Sequence, residues 1–247
     1  MSQGLSVDRV SYRYGDKVAL DAVSFDVAPG RFAALLGPNG AGKSTLFSLL
    51  TRLFTTGDGR ISIAGQDMGR TPRAALARMG VVFQSPTLDL DLTIRQNLSY
   101  FAALHGLSGR DARRRIDAAL DRLEIRARAG EKARNLNGGH RRRTEIARAL
   151  VHDPSVLLLD EPTVGLDAAA RQSITEHVHR LCAEDNLTVL WATHLTDEVY
   201  DDDQLVLLHQ GRILAGGTCA ELRGDKSLKD YFLDLTQMPR QGAEAAL

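Results

Sequence analysis

An apolar strand that runs through a glycine-rich loop into a helix constrains the fold of this chain most strongly. Residues 31–37 read RFAALLG, a continuous apolar run that ends in glycine. The segment GPNGAGKST follows, from Gly37 to Thr45, and a helix is predicted from Lys43 to about Leu53. Strands buried on both faces belong to parallel sheets that helices cover on each side. The chain is therefore expected to have an α/β fold.

Two later segments repeat this pattern of a buried strand. VLLLDEP (residues 156–162) and LTVLWATH (residues 187–194) are apolar runs that end in polar residues, and a helix is predicted between them, near Ala168–Ala183. Because connections of this kind join parallel strands, these segments extend the same sheet. GRISIAG and MGVVFQ indicate further short strands, and QLVLLHQGRILAGG indicates a hairpin about Gln210 and Gly211.

The remaining segments predict the division of the chain. Leu5–Val10 and Val23–Val27 alternate like half-buried strands, which indicates an antiparallel β subdomain. From residue 88 to 150 the sequence is rich in Arg and Ala, and Ile116, Leu120 and Leu123 have helical spacing. We predict one domain over 1–247: an α/β core with the β subdomain over about 1–87 and 151–220, a helical insertion over 88–150, and a C-terminal helix with a frayed tail over 221–247.

Composition excludes several classes of protein. Lys+Arg and Asp+Glu both number 31, and a neutral chain is unlike a general nucleic-acid binder, which is usually basic. No apolar run approaches the ~18 residues that span a bilayer, and the N-terminus lacks the apolar core of a signal peptide. Two cysteines, Cys182 and Cys219, are too few for a disulfide framework, so buried or idle thiols in a reducing compartment are expected.

The loop GPNGAGKST predicts a nucleotide site. It fits the pattern G-x-x-x-x-G-K-[ST] between a strand and a helix, and its glycines allow successive backbone N–H groups to face phosphates. Lys43 is expected to reach the β- and γ-phosphates, and Ser44 is expected to bind Mg²⁺. The alternative is a glycine-rich turn without a ligand. The predicted nucleotide-binding residues of this loop are Gly37, Pro38, Asn39, Gly40, Ala41, Gly42, Lys43, Ser44 and Thr45.

Two carboxylates follow the buried strand VLLLDEP. Asp160 and Glu161 lie where ligands bind in open α/β folds, at the carboxyl edge of the sheet. Asp160 is expected to hold Mg²⁺, and Glu161 is expected to polarise an attacking water. The alternative is a carboxylate that caps the next helix.

A second anion site is indicated by LNGGHRRRTEIARAL, Leu136 to Leu150. Two glycines expose backbone N–H groups at the start of a helix, where the dipole favours anions. Since the first loop already satisfies one nucleotide, this second site raises the question of whose phosphate it holds.

These motifs, in this order, resemble the ATP-binding cassette of ABC transporters. The resemblance covers the chain from about Leu5 to Phe232, and it implies a P-loop NTPase (RecA-like) core with ATP and Mg²⁺ as ligands. LNGGH stands where that family has its signature motif, and VGLD resembles its D-loop. The resemblance implies that Glu161, His194 and Lys43 are catalytic, that Ser44, Gln84 and Asp160 hold the metal, and that Tyr14, Gln84, Asn137, Gly138 and Gly139 contact nucleotide.

Each of these matches has an alternative. Tyr14 is the expected adenine-stacking ring, or an aromatic packed in the core. Gln84 is the Q-loop glutamine, or a surface residue at a strand end. His194 is the switch histidine, or a histidine of the core. Asp167 belongs to the D-loop, or caps the following helix, and one role does not exclude the other.

The signature departs from the usual LSGGQ at two positions. Asn137 replaces serine, and either caps the helix or donates its amide to a phosphate; the two roles compete for one short side chain. His140 replaces glutamine, and no role follows from the sequence. Residues 141–143 are three arginines, which are expected to form a solvated helix face, with Glu145 partly offsetting Arg141.

The phrases LNGGHRRRTEIARAL, DEPTVGLD and SLKDYFLDLT look most like ABC-2 type exporters, and more narrowly like subunits that accompany PQQ-dependent alcohol oxidation. This implies an ATP-hydrolysing subunit, cytoplasmic and peripheral on the inner membrane, with a membrane-spanning permease and a second, identical ATP-binding subunit as partners and no nucleic acid. Leu88, Leu90 and Leu92 are predicted to be exposed and to line the permease groove. The alternatives are a soluble ATPase acting on ribosomes or DNA and a regulator without turnover.

Overall fold

A computed structural model of the chain describes residues 4–237. Its strands are β1 (Leu5–Tyr14), β2 (Lys17–Val27), β3 (Phe32–Leu36), β4 (Arg60–Ile63), β5 (Gln66–Asp67), β6 (Met79–Val82), β7 (Val156–Asp160), β8 (Thr188–Thr193), β9 (Gln204–His209) and β10 (Arg212–Thr218). Its α-helices are α1 (Lys43–Leu50), α2 (Pro72–Leu76), α3 (Ile94–Leu104), α4 (Gly109–Arg122), α5 (Gly138–Leu150), α6 (Ala168–Asp185), α7 (Cys219–Arg223) and α8 (Leu228–Gln237).

Six strands form the main sheet in the order β10-β9-β3-β8-β7-β6. All neighbouring pairs are parallel except β9 and β10, which form the predicted antiparallel hairpin. Every residue of β3, β7 and β8 is buried, as expected of strands covered on both faces. The predicted α/β core is confirmed.

The smaller sheet is antiparallel, in the order β2-β1-β4-β5. It confirms the predicted β subdomain, and its first two strands extend beyond the predicted Leu5–Val10 and Val23–Val27 to meet in a hairpin. Tyr14 pairs with Lys17 at the tip of that hairpin. The turn therefore holds Tyr14 at the end of a strand.

Three helices, α3 to α5, lie between β6 and β7. Ile116, Leu120 and Leu123 are buried, as their spacing predicts, and they share one hydrophobic cluster with Leu157 of β7 and Trp191 of β8. Packing against the sheet stabilises these helices, because an amphipathic face gains more from burial than from helix propensity.

Helix ends account for smaller differences from the sequence prediction. The helix α1 ends at Leu50, three residues before the predicted Leu53, and the Thr51 hydroxyl donates to the Phe47 carbonyl there. In α3, Thr93 and Gln96 form a reciprocal capping box, which satisfies two backbone donors. Residues 238–247 of the predicted tail lie outside the described residues.

Two general expectations concern thiols and membrane spans. Cys182 and Cys219 are both buried and unpaired, and burial raises the pKa of the Cys182 thiol to about 11. Among the helices within residues 4–237, none combines the length and apolar character needed to cross a bilayer.

Candidate functional site

A cleft of about 910 Å³ opens beyond the carboxyl ends of the central strands. It contains most of the residues that the sequence predicts for a nucleotide site. Those on its wall are Tyr14, Pro38, Asn39, Gly40, Gly42, Lys43, Ser44, Thr45, Gln84, Glu161 and His194. Gly37, Ala41 and Asp160 do not line the cleft.

The glycine-rich loop joins β3 to α1 and requires glycine at its last turn. Gly42 has φ 113°, and a Cβ atom there would lie 2.9 Å from the Ala19 carbonyl oxygen. Lys43 begins the helix and is only 6% exposed. Its Nζ donates to the carbonyl oxygens of Gly37, at 2.6 Å, and Pro38, at 3.2 Å. The loop thus folds around the ammonium group.

Three side chains converge on the Glu161 carboxylate. Lys43 Nζ lies 3.4 Å from its Oε1. Gln84 Nε2 donates to Oε2 at 3.2 Å, and His194 Nδ1 lies 3.2 Å from Oε1. Glu161 has a φ of 44°, in the left-handed region, which costs about 1–3 kcal/mol and is typical of residues at functional sites. At the end of this strand, a residue with a strained backbone therefore places its carboxylate among three polar groups from distant segments.

Asp160 lies one residue earlier and is 8% exposed. Burial, and then the neighbouring Glu161, raise the pKa of Asp160 to about 6, whereas Lys43 and Arg142 oppose that rise. A carboxylate in this position gains from a cation, because a positive charge favours its ionised form. The site thus suits a hard cation bound by oxygens, and Ser44, also on the cleft wall, offers a hydroxyl.

Tyr14 has an exposed ring at the rim of the cleft. The residue is 47% exposed, and its ring packs edge-on against Tyr12 and Phe54, with centroids 5.1 and 5.9 Å away. Its hydroxyl lies 3.4 Å from Thr45 Oγ1. The neighbouring rings fix its orientation, and nearly half of the residue stays exposed at the cleft.

The glycines of the second anion site line a separate depression of about 280 Å³. Asn137, Gly138 and Gly139 share this depression with residues 165–167, so the structure brings the signature and D-loop segments together within one chain. It does not bring the signature into the first cleft. Asp167 caps α6, since its Oδ1 accepts from the Ala170 backbone N–H at 2.8 Å.

Asn137 caps α5 with one end of its amide. Its Oδ1 accepts from the His140 backbone N–H at 2.9 Å, and His140 Nδ1 lies 2.8 Å from the same oxygen. Burial, with Arg128 and Arg143 nearby, lowers the pKa of His140. The two roles considered for Asn137 therefore do not compete, because the oxygen caps the helix and the amide nitrogen is a separate donor.

The three arginines of α5 are not the predicted solvated face. Arg142 is buried, and it pairs with Glu145, whose carboxylate oxygen lies 2.9 Å away. Its guanidinium also donates to the carbonyl oxygens of Phe83, at 2.8 Å, and Gln84, at 3.1 Å. Glu145 in turn accepts from the Thr87 backbone N–H at 2.7 Å.

The neighbouring arginines are also engaged. Arg141 donates to the Ala133 and Arg134 carbonyls, and Arg143 donates to the Leu123 carbonyl and to Ser173. The prediction that Glu145 offsets Arg141 was wrong, because Glu145 faces the Q-loop segment and pairs with Arg142. Spacing along a helix gives the candidate pairs, and packing selects among them.

Sequence reasoning missed two further groups. Lys17, Val18, Asp21 and Arg212 line the cleft beside Tyr14, but no motif marks them. Glu198 is 1% exposed and accepts hydrogen bonds from three side chains, two of them on β8 and one in the segment after β7. A buried carboxylate in a polar run, TDEVYDDD, gives no signal in the sequence.

The comparisons with known proteins agree with this geometry. The family model described as "ABC transporter" matches residues 20–164. The daunorubicin resistance ATP-binding protein DrrA3 of Streptomyces coeruleorubidus is 37% identical over 98% of this chain and 77% of its own length. The Nod factor export ATP-binding protein I of Paraburkholderia xenovorans is 39% identical over 88% of this chain and 72% of its own length.

Solved structures give the same answer. An ATP-binding subunit of an ABC transporter superposes with a TM-score of 0.81 and 29% identity, over 94% of this chain and 98% of that chain. A dimeric bacterial ABC transporter cassette superposes with a TM-score of 0.74 and 26% identity, over 87% of this chain and 98% of that chain. The chain belongs to the ATP-binding subunits of ABC transporters, and it is an ATPase.

Proposed function

We propose that this chain hydrolyses Mg²⁺·ATP in a dimer of identical chains and powers export through a separate membrane-spanning permease. The observation that carries the catalytic part is the convergence of Lys43, Gln84 and His194 on the Glu161 carboxylate, at the edge of a glycine-rich phosphate loop. A carboxylate, a cation and two polar side chains from separate strand ends suit phosphoryl transfer to water.

Different residues of the site are proposed to bind different parts of Mg²⁺·ATP. Backbone N–H groups of residues 39–45 and the Lys43 ammonium bind the phosphates, and the ring of Tyr14 stacks on adenine. Ser44, Gln84 and Asp160 are the proposed ligands of Mg²⁺. When bound, the ion neutralises charge on the phosphate oxygens.

Glu161 is the proposed group that polarises the attacking water, since its carboxylate is the acceptor at the centre of the site. With nucleotide bound, Lys43 turns from Glu161 toward phosphate, which frees the carboxylate for water. His194 contacts the same carboxylate and lines the cleft. It is proposed to bind the γ-phosphate and to keep Glu161 aligned with it.

The second anion site is proposed to bind the nucleotide of the other subunit. One chain holds one complete phosphate loop, and Gly138 and Gly139 begin a helix in a separate depression. Such a helix start favours an anion, and the amide nitrogen of Asn137 adds a donor there. Two identical chains about a two-fold axis then complete each other's sites.

Export and the permease are proposed from the relatives, two of which are named for drug resistance and for Nod factor export. The narrower likeness to subunits of PQQ-dependent alcohol oxidation stays a prediction. An ATPase with a partner other than a permease is the alternative, and the docking test below separates the two.

We expect Tyr14→Ala to weaken ATP binding by about 1–2 kcal/mol, because a base loses its stacking partner. The measurement is the dissociation constant of ATP by calorimetry. Tyr14→Phe is the matched control, since it keeps the ring and removes only the hydroxyl beside Thr45. An unchanged constant for Tyr14→Ala would leave the ring with packing against Tyr12 and Phe54 as its only role.

The segment before α3 is the proposed permease contact. The prediction of three exposed leucines is corrected for Leu88, which is buried; Leu92 is half-buried, and Leu90 is 43% exposed. The Leu90 carbonyl accepts from the Arg134 backbone N–H at 3.1 Å, and Arg134 lies three residues before Asn137. A partner that binds at Leu90 would therefore contact a residue that is hydrogen-bonded to the segment before the signature.

We expect Leu90→Asp to abolish recruitment to membranes that contain the permease, because a charge replaces apolar contact area. Basal ATPase activity should remain. The measurement is cosedimentation with those membranes, alongside an ATPase assay of the purified chain.

Leu53→Asp is the matched control, since Leu53 is an exposed leucine just after α1, far along the chain from the proposed contact. Normal recruitment of Leu90→Asp would move docking to another surface. If membranes with the permease recruit neither the wild type nor the control, the alternative without a permease is favoured.

A further inference from the structure

Glu198 is a buried carboxylate at the centre of a hydrogen-bond network. It ends a short 3₁₀ helix, Thr196–Glu198, and is 1% exposed. Its Oε2 accepts from Trp191 Nε1 at 3.0 Å and from Thr193 Oγ1 at 2.5 Å, and its Oε1 accepts from Thr163 Oγ1. Three donors satisfy the carboxylate, which makes its burial tolerable.

Two of these donors adjoin the residues proposed for hydrolysis. Thr193 ends β8 immediately before His194, and Thr163 lies two residues after Glu161. β7 and β8 are neighbouring parallel strands, so both threonines lie at the same edge of the sheet, where these strands end. Through these two threonine side chains, Glu198 therefore connects the segment that carries Glu161 to the segment that carries His194.

The direction of the hydrogen bond between Thr193 and Glu198 is fixed. The Leu195 backbone N–H donates to Thr193 Oγ1 at 3.0 Å, so the Thr193 hydroxyl proton points to Glu198. The segment around His194 is thus held from Thr193 on one side and from Leu195 on the other. Hydrogen bonds are stronger in the low-dielectric interior than in water, which suits an anchor.

We propose that Glu198 is a positioning residue for ATP hydrolysis, which holds the segments that carry Glu161 and His194 in the relative placement that the reaction requires. This rests on the proposed roles of Glu161 and His194. Glu198 touches neither substrate nor metal; it acts through Thr163 and Thr193. Displacement of a reacting group by about 1 Å can lower turnover about a hundredfold with little effect on binding.

The test compares Glu198→Ala with Glu198→Gln by kcat and by KM for ATP. We expect kcat of the alanine variant to fall by about tenfold or more, with KM within about threefold of wild type. The glutamine variant should recover most of the activity, because its amide oxygen accepts from Trp191 and Thr193 while its nitrogen donates to Thr163. Unchanged kcat in the alanine variant overturns the proposal.

A second variant covers the case in which Glu198→Ala does not fold. Thr193→Val keeps the shape of the side chain and removes the hydroxyl that joins Glu198 to the His194 segment. Thr175→Val is its matched control, since Thr175 is similarly buried and its hydroxyl donates to the Arg171 carbonyl within α6. We expect lower kcat for Thr193→Val alone; equal activity of the two variants overturns the proposal.

Trp191 gives a spectroscopic signature, because it is the one tryptophan in the sequence and its indole N–H bonds to Glu198. Its emission should change in Glu198→Ala and return in Glu198→Gln. Glu161→Gln is assayed in parallel. If that variant stays active, the proposed function fails; if it is inactive while Glu198→Ala is fully active, only the role of Glu198 fails.

Discussion

Replacement of Glu161 by glutamine is expected to lower ATP turnover by about a hundredfold or more, the usual loss when a water-polarising base is removed. The amide nitrogen cannot accept the proton of water, and the side chain loses the charge that pairs with Lys43, 3.4 Å away. ATP binding should stay near normal, because Lys43 is then free for the phosphates. The measurements are steady-state ATPase activity and ATP affinity.

The electrostatic consequence of this change reaches the preceding residue. The Glu161 charge is the second largest cause of the raised pKa of Asp160, after burial, so its removal lowers that pKa. Magnesium affinity should therefore not be lost. Glu184→Gln, an exposed site at the end of α6, is the matched control. Activity of Glu161→Gln within about threefold of wild type would remove Glu161 from the catalytic role.

A mixture of two inactive variants is expected to regain activity if the subunits exchange their signatures. Lys43→Ala removes the phosphate-binding ammonium, and Gly139→Asp places a negative charge where the partner's phosphate is proposed to bind. In a mixed dimer one shared site carries both lesions and the other carries neither. Random pairing in equal amounts makes about half of the dimers mixed, so about a quarter of wild-type activity should return.

The Gly139→Asp variant needs a control for folding. A Cβ atom at Gly139 would lie 3.3 Å from the Ala170 Cβ, a tight contact, whereas an acidic residue in the first turn stabilises a helix. Gly130→Asp introduces the same charge at an exposed glycine with open space around it, and should stay active. If mixed dimers form and the mixture remains as inactive as each variant, the exchange of signatures is contradicted.

The strand ends of the main sheet could be predicted because local patterns encode them. The apolar run before Gly37 and the run before Asp160 each specify a buried strand and place polar residues at its end. The contacts among those residues could not be derived in the same way. Gln84 and Glu161 are 77 positions apart, and only the pairing of β6 with β7 brings them together.

The helical part shows where spacing alone is insufficient. Arg141 and Glu145 have the favourable i,i+4 spacing, yet the buried pair is Arg142 with Glu145, because that face of α5 packs against the segment after β6. For Asn137 the sequence indicated either a helix cap or a donor to phosphate. The two roles are compatible because the amide oxygen caps the helix and the amide nitrogen is a separate donor. Glu198 escaped notice because its three donors lie on β8 and after β7, and no local pattern encodes such an arrangement.

The buried pair of Arg142 and Glu145 has a mechanical consequence. Arg142 donates to the Phe83 and Gln84 carbonyls, and Glu145 accepts from the Thr87 backbone N–H, so these hydrogen bonds join α5 to residues 83–87. Because Gln84 also donates to Glu161, a displacement of α5 would be transmitted to this contact between the Gln84 and Glu161 side chains. In the proposed dimer, this connection would couple the signature of one subunit to the Gln84 side chain that lines its own nucleotide cleft. The Arg142–Glu145 salt bridge is buried, so added salt screens it only weakly.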